Sequence, residues 1–257
     1  MRKSANIGLR LAPWLVFVLL LTVWEMAVRI WSLPLWILPA PSRVLQTAIS
    51  SFHLLLDHTM VTLGEAMLGF TCSVVLAFLL VFFFNLLPCL RQALYPLLVI
   101  SQTIPLITLA VLFTIWFGWG LLPKVLVVIL VCFFPIAISL IRGIDGVDPE
   151  MIDLFRSMGA SRLKIWTMVQ FPLALPSFFA GLRISATYSI MAAVIGEWMG
   201  AQQGLGFYMT LLQKNFAVDG VLAAVLIICL LSLLLVKLVE LAEYLLVPWQ
   251  RTNTIHY

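Results

Sequence analysis

Charged residues are scarce in this sequence of 257 residues. Asp, Glu, Lys and Arg make up 10% of the chain, hydrophobic residues make up 63%, and the mean hydropathy is +1.12. So few polar side chains cannot cover the surface of a soluble domain. The composition therefore predicts an integral membrane protein, in which about 20 apolar residues per span leave room for about six crossings and little else.

The sequence also lacks the motifs of several kinds of catalytic and metal site. None of its five lysines lies in a G-x4-G-K-[ST] phosphate loop, and its four cysteines are scattered through apolar segments. The three histidines form no HExxH pattern, and we expect His53 and His58 to face solvent. We therefore predict no enzymatic activity, no metal site and no cofactor bound by this chain.

If this membrane protein is a transporter, the absence of a phosphate loop means that the energy for transport must come from outside this chain. Two classes of transporter would then be open: a permease subunit driven by a separate ATPase, and an ion-coupled secondary transporter. The second class is expected to carry ionisable groups near the middle of the membrane and an internal repeat. Neither feature is evident in the sequence. The net charge of +4 is what basic cytoplasmic loops produce, so no nucleic-acid partner is predicted.

Long apolar segments predict six transmembrane helices at 12–31, 63–87, 93–117, 121–141, 176–200 and 221–247. If both termini are cytoplasmic, the nine basic residues on the inside are Arg2, Lys3, Arg10, Arg91, Arg142, Arg156, Arg162, Lys164 and Arg251. The four on the outside are Arg29, Arg43, Lys124 and Lys214. This bias follows the positive-inside rule and predicts a multi-pass membrane protein with both termini in the cytoplasm.

The segment between the first two spans contains three prolines at positions 34, 39 and 41, followed by an amphipathic run. We expect a helix at the outer membrane interface there, rather than a seventh span. Glu25 in the first span and Arg183 in the fifth are expected to serve helix packing or to reach the interface.

The most polar long stretch, residues 148–176, predicts two short helices joined by a sharp bend. Asp148 is suited to cap the first helix, and the proline after it suits the first helical position. Gly159 can adopt the left-handed conformation that ends this helix. Ser161 can cap a second helix that runs to about Gln170, before the prolines that precede the fifth span.

Apolar residues recur on the first of these helices at Ile152, Phe155 and Met158. An apolar stripe on a short element outside the membrane needs a partner. The partner is either the ends of the protein's own helices or a second protein, and the periodicity leaves both open.

The spacing within this stretch resembles the EAA signature of bacterial ABC importer permeases, E-A-A-x3-G-x9-I-x-L-P. The positions that match it are Asp153, Leu154, Phe155, Gly159, Val169, Phe171 and Pro172. Only the glycine and the proline are identical to the signature. The segments LPAPSRVLQT, TIPLITLAVLFTIWFGWG and GEWMGAQQGLGFYM are also similar to permeases of the nitrate, sulfonate and taurine type, so the resemblance covers nearly the whole chain.

The resemblance implies an all-α type I (MetI-like) ABC importer permease in the bacterial inner membrane. An N-terminal transmembrane helix and outer loop would occupy 1–62, the permease core 63–247, and a cytosolic tail 248–257. The implied partners are an ATPase dimer that binds ATP and Mg²⁺, an extracytoplasmic substrate-binding protein, a second copy of the permease, and membrane lipid.

In such a permease, residues 142–175 would form the coupling loop, whose short helix docks in a groove of the ATPase. The candidate docking residues are Asp153, Leu154, Phe155, Arg156, Met158, Gly159 and Ala160. For Asp153 and Arg156, a salt bridge to the ATPase and simple solvation both stay open.

Polar residues inside the third and fifth spans are candidates for lining a translocation path. They are Ser101, Gln102, Thr103, Thr108, Ser185, Tyr188 and Ser189. A role in hydrogen bonds between helices is the alternative for each of them. Glu197, Gly204 and Gly206 border a glycine-rich outer loop, which is a candidate for an outer gate or for the docking surface of the binding protein.

For the solute, the segment GEWMGAQQGLGFYMTLLQKNF resembles permeases for the pyrimidine precursor of thiamine. Sulfonates, taurine and nitrate-like solutes are the alternative. The candidate lining has little positive charge, which argues against a bare inorganic anion, and aromatic groups such as Tyr188, Phe113 and Trp116 could stack on a flat ring.

Overall fold

The computed structural model describes residues 2–249, with side chains from residue 12 onward. Its helices are α1 Arg2–Ile30, α2 Pro41–Ser50, α3 Phe52–Leu86, α4 Pro88–Ser101, α5 Leu106–Phe117, α6 Leu121–Asp145, α7 Pro149–Ser157, α8 Arg162–Ile165, α9 Phe171–Trp198, α10 Leu205–Lys214 and α11 Val218–Leu246. Residues 250–257 of the predicted tail, including Arg251, lie outside the described part, as do the side chains of Arg2, Lys3 and Arg10.

Helices α6 and α9 form the centre of the bundle, with α3 and α11 packed around them. The two central helices touch almost backbone to backbone. A Cβ atom on Gly181 of α9 would lie 2.7 Å from the Pro135 carbonyl oxygen of α6. Ile136 and Leu140 of α6 are fully buried in this contact region. Small residues therefore allow the close helix approach that drives packing where lipid removes the hydrophobic driving force.

Among the described residues, five helical segments are long and apolar enough to cross a membrane, and α4 with α5, a pair bent by 102°, makes a sixth if the pair is counted as one span. The all-helical architecture is thus confirmed, and the number of spans agrees with the six predicted when the bent pair is counted as one. The third span was predicted as one helix over 93–117, and this is wrong because the helix breaks between Gln102 and Pro105. Proline lacks a backbone N–H and disfavours helical geometry at the residue before it.

The second span also begins earlier than predicted, at Phe52 instead of residue 63. The predicted boundary between 62 and 63 therefore falls inside α3. The amphipathic run forms a separate helix only over Pro41–Ser50. Glu25 of α1 fixes the start of this helix, because its carboxylate accepts hydrogen bonds from the Ser42 backbone N–H at 3.0 Å and from the Ser42 hydroxyl at 2.8 Å. This is the packing role expected for Glu25.

The fifth span starts at Arg162 and continues to Trp198. The separate second short helix predicted over 162–170 is therefore wrong, since these residues are the first turns of the span. Residues 166–170 are π-helical, and the Phe171 N–H bonds to the Trp166 carbonyl five residues back. This local rearrangement lets the helix pass Pro172, as π-bulges do elsewhere. Arg183, further along, pairs with Glu243 of α11 and so has the structural role expected for it.

Candidate functional site

The bend between α7 and α8 has the local structure that the sequence predicts. The Asp148 carboxylate caps α7 by accepting a hydrogen bond from the Glu150 N–H at 2.9 Å, and the Ser161 hydroxyl caps α8. Gly159 has φ +79°, a left-handed conformation that favours glycine. The chain therefore leaves α7 through a glycine-dependent turn and enters the fifth span two residues later.

The apolar side chains of α7 divide between two faces. Ile152 and Phe155 are half-buried against the protein itself. Met151, Leu154 and Met158 are 41%, 58% and 75% exposed. The protein's own helices thus partly cover Ile152 and Phe155 of the predicted stripe. Met158 of the stripe, together with Leu154, is exposed among the residues that the structure describes.

The other candidate docking residues lie at the rim of these faces. Asp153 and Arg156 are exposed and pair with each other at 3.0 Å, a contact that contributes little to stability at such exposure. Gly159 is exposed, and a Cβ atom added there would have no other atom within 4 Å. Ala160 is half-buried and lines a cavity behind α7.

This cavity of 470 Å³ separates α7 from the ends of α3 and α6. Its wall is held by the Arg91 guanidinium, which forms two hydrogen bonds of 2.9 and 2.6 Å to the Asp145 carboxylate. Arg162 donates a hydrogen bond of 3.1 Å to the Leu86 carbonyl. These bonds join the two ends of the loop, Asp145 and Arg162, to α4 and α3. The loop is therefore fixed at both ends, and α7 lies between them on the far side of the cavity.

Aromatic rings join the start of the fifth span to α3. The Trp166 ring stacks on the Phe171 ring, with 5.1 Å between the ring centroids. It also forms T-shaped contacts with Phe82 and Phe78, at centroid distances of 5.0 and 5.6 Å. The Asn85 amide donates to the Gln170 side chain at 2.8 Å. Sequence reasoning missed this contact, although a tryptophan inside a polar stretch was a usable signal for it.

Three of the path candidates line one groove at the break between α4 and α5. Ser101 and Gln102 from the break and Tyr188 from α9 line a groove of 260 Å³ with Phe134 and Pro135 of α6. Tyr188 is 43% exposed. Thr103 and Thr108 lie next to the break and are exposed.

Two further path candidates do not reach the groove. Ser185 and Ser189 are fully buried. The Ser185 hydroxyl donates to the Cys132 carbonyl of α6 at 2.8 Å, and the Ser189 hydroxyl donates to the Ala186 carbonyl of its own helix at 2.9 Å. Ser185 therefore has the alternative role, a hydrogen bond between helices, whereas the Ser189 hydroxyl bonds within its own helix. Neighbouring helices cover both side chains.

The three gate candidates meet at the opposite end of the bundle from α7, which we call the α10 end. There, three consecutive backbone N–H groups at the start of α10 each bind a side chain. Gly204 donates to His58 Nδ1 at 3.1 Å, Leu205 to the Thr62 hydroxyl at 2.8 Å, and Gly206 to Glu197 Oε2 at 2.5 Å. We call His58, Thr62 and Glu197, with residues 204–206, the α10 clasp.

The clasp is closed tightly in this structure. Glu197 is 1% exposed, and the Thr62 hydroxyl donates to its Oε1 at 2.6 Å. A Cβ atom on Gly204 would overlap the Glu197 carboxylate, and one on Gly206 would lie 2.5 Å from the Val194 carbonyl. The prediction that His58 faces solvent is wrong, since its ring stacks on Tyr208 at 5.0 Å. Sequence reasoning missed His58 and Thr62 because it started the second span after them.

The third span is broken between Gln102 and Pro105, the fifth span continues directly from the loop that carries α7, and α7 exposes apolar side chains. These features agree with the ABC importer permease class that the sequence resembles. The family described as binding-protein-dependent transport system inner membrane component matches residues 69–252, and the chain belongs to it. A chain in the crystal structure of an amino acid ABC transporter with histidines shares the fold, with a TM-score of 0.63 and 17% identity over 76% of this chain and 95% of that one.

Two curated relatives are similar over almost their whole length. The formylaminopyrimidine transport permease protein ThiX of Halalkalibacterium halodurans is 36% identical over 94% of this chain and 96% of its own. The riboflavin transport system permease protein RibX of Chloroflexus aurantiacus is 36% identical over 90% of this chain and 87% of its own. The resemblance to this importer class is therefore confirmed.

Proposed function

We propose that this permease subunit imports a small solute with a flat, nitrogen-containing ring, with the pyrimidine precursor of thiamine as the best candidate. The observation that carries the proposal is the pair of relatives at 36% identity, which are named for formylaminopyrimidine and riboflavin. Both solutes contain a flat heteroaromatic ring. The groove at the α4–α5 break agrees with such a solute, because Tyr188 offers a ring for stacking and Gln102 an amide for hydrogen bonds.

Sulfonates, taurine and nitrate-like anions are the alternative solutes. They would need positive charge in the path to replace the water around a permanent negative charge. Among the described residues that line the groove, none is Lys or Arg. The groove therefore favours a neutral ring over an anion.

We also propose that energy comes from a partner ATPase, which docks on the exposed face of α7 at the cytoplasmic side. The uncovered Leu154 and Met158 provide the apolar contact, and the glycine turn at Gly159 fixes the angle between α7 and the fifth span. A substrate-binding protein would deliver the solute at the α10 end, and a second permease copy would complete the path. The comparisons give no support to the ion-coupled alternative.

Reconstitution in liposomes tests the solute and the energy source together. We expect uptake of labelled formylaminopyrimidine only when the cognate ATPase, ATP and the binding protein are all present. Uptake without an ATPase, driven by an ion gradient, would refute ATP coupling. Uptake of taurine without uptake of formylaminopyrimidine or riboflavin would refute the proposed solute class.

The groove itself is tested by two substitutions at one position. We expect Tyr188→Ala to reduce uptake about tenfold or more, because loss of a stacked ring costs about 1 kcal/mol beyond its buried area. Tyr188→Phe keeps the ring and should retain most of the uptake. Equal loss in both variants would show that the hydroxyl, rather than ring stacking, is what the path needs.

A further inference from the structure

Three ionisable side chains from three helices meet directly beneath the α10 clasp. They are Glu65 of α3, Lys124 of α6 and Glu197 of α9. The two glutamates are 3% and 1% exposed, and the Lys124 side chain is 12% exposed. The Lys124 ammonium group donates to Glu65 Oε1, and the Glu65 and Glu197 carboxyl groups face each other. The site thus has two carboxyl groups and one ammonium group away from solvent.

The hydrogen bonds of this cluster leave one oxygen without a donor. Both oxygens of Glu197 are occupied, Oε1 by the Thr62 hydroxyl and Oε2 by the Gly206 N–H. Glu65 Oε1 is occupied by Lys124, but Glu65 Oε2 is buried and has no donor among the residues that the structure describes. A buried carboxylate oxygen without a donor is costly, and so is the uncompensated second negative charge.

We propose that Glu65 and Glu197 bind one proton between them, held on Glu65 Oε2 and donated to the Glu197 carboxylate. One bound proton supplies the missing donor and reduces the cluster to one negative and one positive charge. A metal ion fits less well, because no group of three or more metal-ligating side chains occurs among the described residues and an ammonium group already occupies the site.

The bound proton acts on the clasp through Glu197. If the pair lost its proton, the Glu65 and Glu197 carboxylates would both be negative and would repel each other. The Glu197 carboxylate accepts the Gly206 N–H, so this repulsion would act on the clasp. Other titratable groups at this end include His58 and Tyr208, whose rings stack on each other, and Asp57, whose charge acts on His58. Arg43 and Asp219 form an ion pair between α2 and α11. A cavity of 420 Å³ lined by Lys124, Gly200 and Gln202 opens beside the cluster and offers a route for the proton from the α10 end.

Linkage fixes the sign of the pH effect. If the folded protein holds a proton that the exposed glutamates of the unfolded chain release, the folded state binds more protons than the unfolded state, and stability should fall as the pH rises through the neutral range. Other groups of the protein also change their proton binding with pH, so the effect of the pair is the difference in slope between the wild-type protein and a variant that lacks Glu65.

Infrared spectroscopy of the purified full-length chain, in a detergent without ester groups, tests the proposal directly. At neutral pH we expect a carbonyl band of a protonated carboxylic acid that shifts in D2O. Glu65→Gln and Glu197→Gln should each abolish it, because the remaining carboxylate would stay ionised beside Lys124. Glu243→Gln, which removes a half-buried carboxylate that is paired with Arg183, should leave the band intact.

A wild-type protein without this band would overturn the proposal, and so would a band that survives in both the Glu65→Gln and Glu197→Gln variants. If one of the two variants does not fold, the wild-type spectrum and the other variant still decide the question. As a second readout, the apparent melting temperature of the wild-type protein should fall with rising pH more steeply than that of Glu65→Gln. Equal slopes would contradict the shared proton.

Discussion

At the residue scale, a glycine is needed at each end of the bundle, Gly159 in the coupling loop and Gly206 in the α10 clasp. Gly159 is needed for its backbone conformation, because its φ is +79° and no neighbour lies within 4 Å of a Cβ position. Gly206 is needed for space, because a Cβ there would meet the Val194 carbonyl at 2.5 Å. The sequence predicted the first requirement from helix-end chemistry. The second depends on which helix lies alongside, and no local pattern carries that information.

Replacing Gly159 by valine should uncouple ATP hydrolysis from uptake. The left-handed conformation costs an L-residue about 1–2 kcal/mol, and more for a β-branched one, so the turn should relax and reorient α7. Membrane insertion should be normal, and ATPase activity of the assembled complex should persist without substrate uptake. Gly159→Asn is the matched control, since asparagine tolerates this conformation. Normal uptake by the valine variant would contradict a role for the turn in coupling.

At the α10 end, we expect Gly206→Ala to lower stability by about 1–3 kcal/mol, the usual cost of overpacking. Thermal unfolding in detergent measures the effect. Gly64→Ala is its control on α3, where a Cβ has no neighbour within 4 Å and alanine is the better helix former. A Gly206→Ala protein as stable as the Gly64→Ala protein would show that the clasp opens readily.

At the element scale, the short helix α7 shows how an amphipathic pattern can be shared between two partners. Its periodicity predicted an apolar stripe of Ile152, Phe155 and Met158, and the first two of these are half-buried against the protein's own helices. Met158 is exposed beside Leu154, and these two side chains form the face that we propose for the ATPase. Two other helices are also interrupted next to a proline. The break between α4 and α5 ends at Pro105, and the π-helical turn before α9 is followed by Pro172.

The double variant Leu154→Ser/Met158→Ser should weaken docking of the ATPase. Central apolar contacts of an interface often contribute about 2 kcal/mol or more, which corresponds to about 30-fold in affinity. Co-purification of the ATPase with the tagged permease measures the loss. Glu150→Gln, an exposed polar position on the same helix, should have no effect. Unchanged co-purification of the double variant would place the ATPase on another surface.

At the scale of the whole molecule, the bundle has a coupling-loop end and an α10 end, and the distribution of basic residues predicts which end is cytoplasmic. Cys89, one of four native cysteines, offers a test of this orientation. Cys89 is exposed at the start of α4 at the coupling-loop end, whereas Cys132 is buried and Cys229 lies within the apolar helix α11.

A membrane-impermeant maleimide should therefore modify Cys89 in inside-out vesicles and not in spheroplasts, because α4 begins at the cytoplasmic side in the predicted orientation. Mass spectrometry of the labelled chain gives the readout. Cys89→Ala should remove the signal from the vesicles. Labelling of Cys89 in intact spheroplasts would mean that the orientation is reversed.

Composition and apolar run length determined that this chain is an all-helical membrane protein with six spans, because burial in lipid acts on each segment by itself. Capping chemistry likewise determined the bend at Gly159, since caps depend on neighbours in sequence. Only the tertiary structure decided which polar residues face a groove and which join helices, as with Tyr188 against Ser185. It alone also brought His58, Thr62, Glu65, Lys124 and Glu197 together, because contacts between helices depend on packing across residues far apart in the chain.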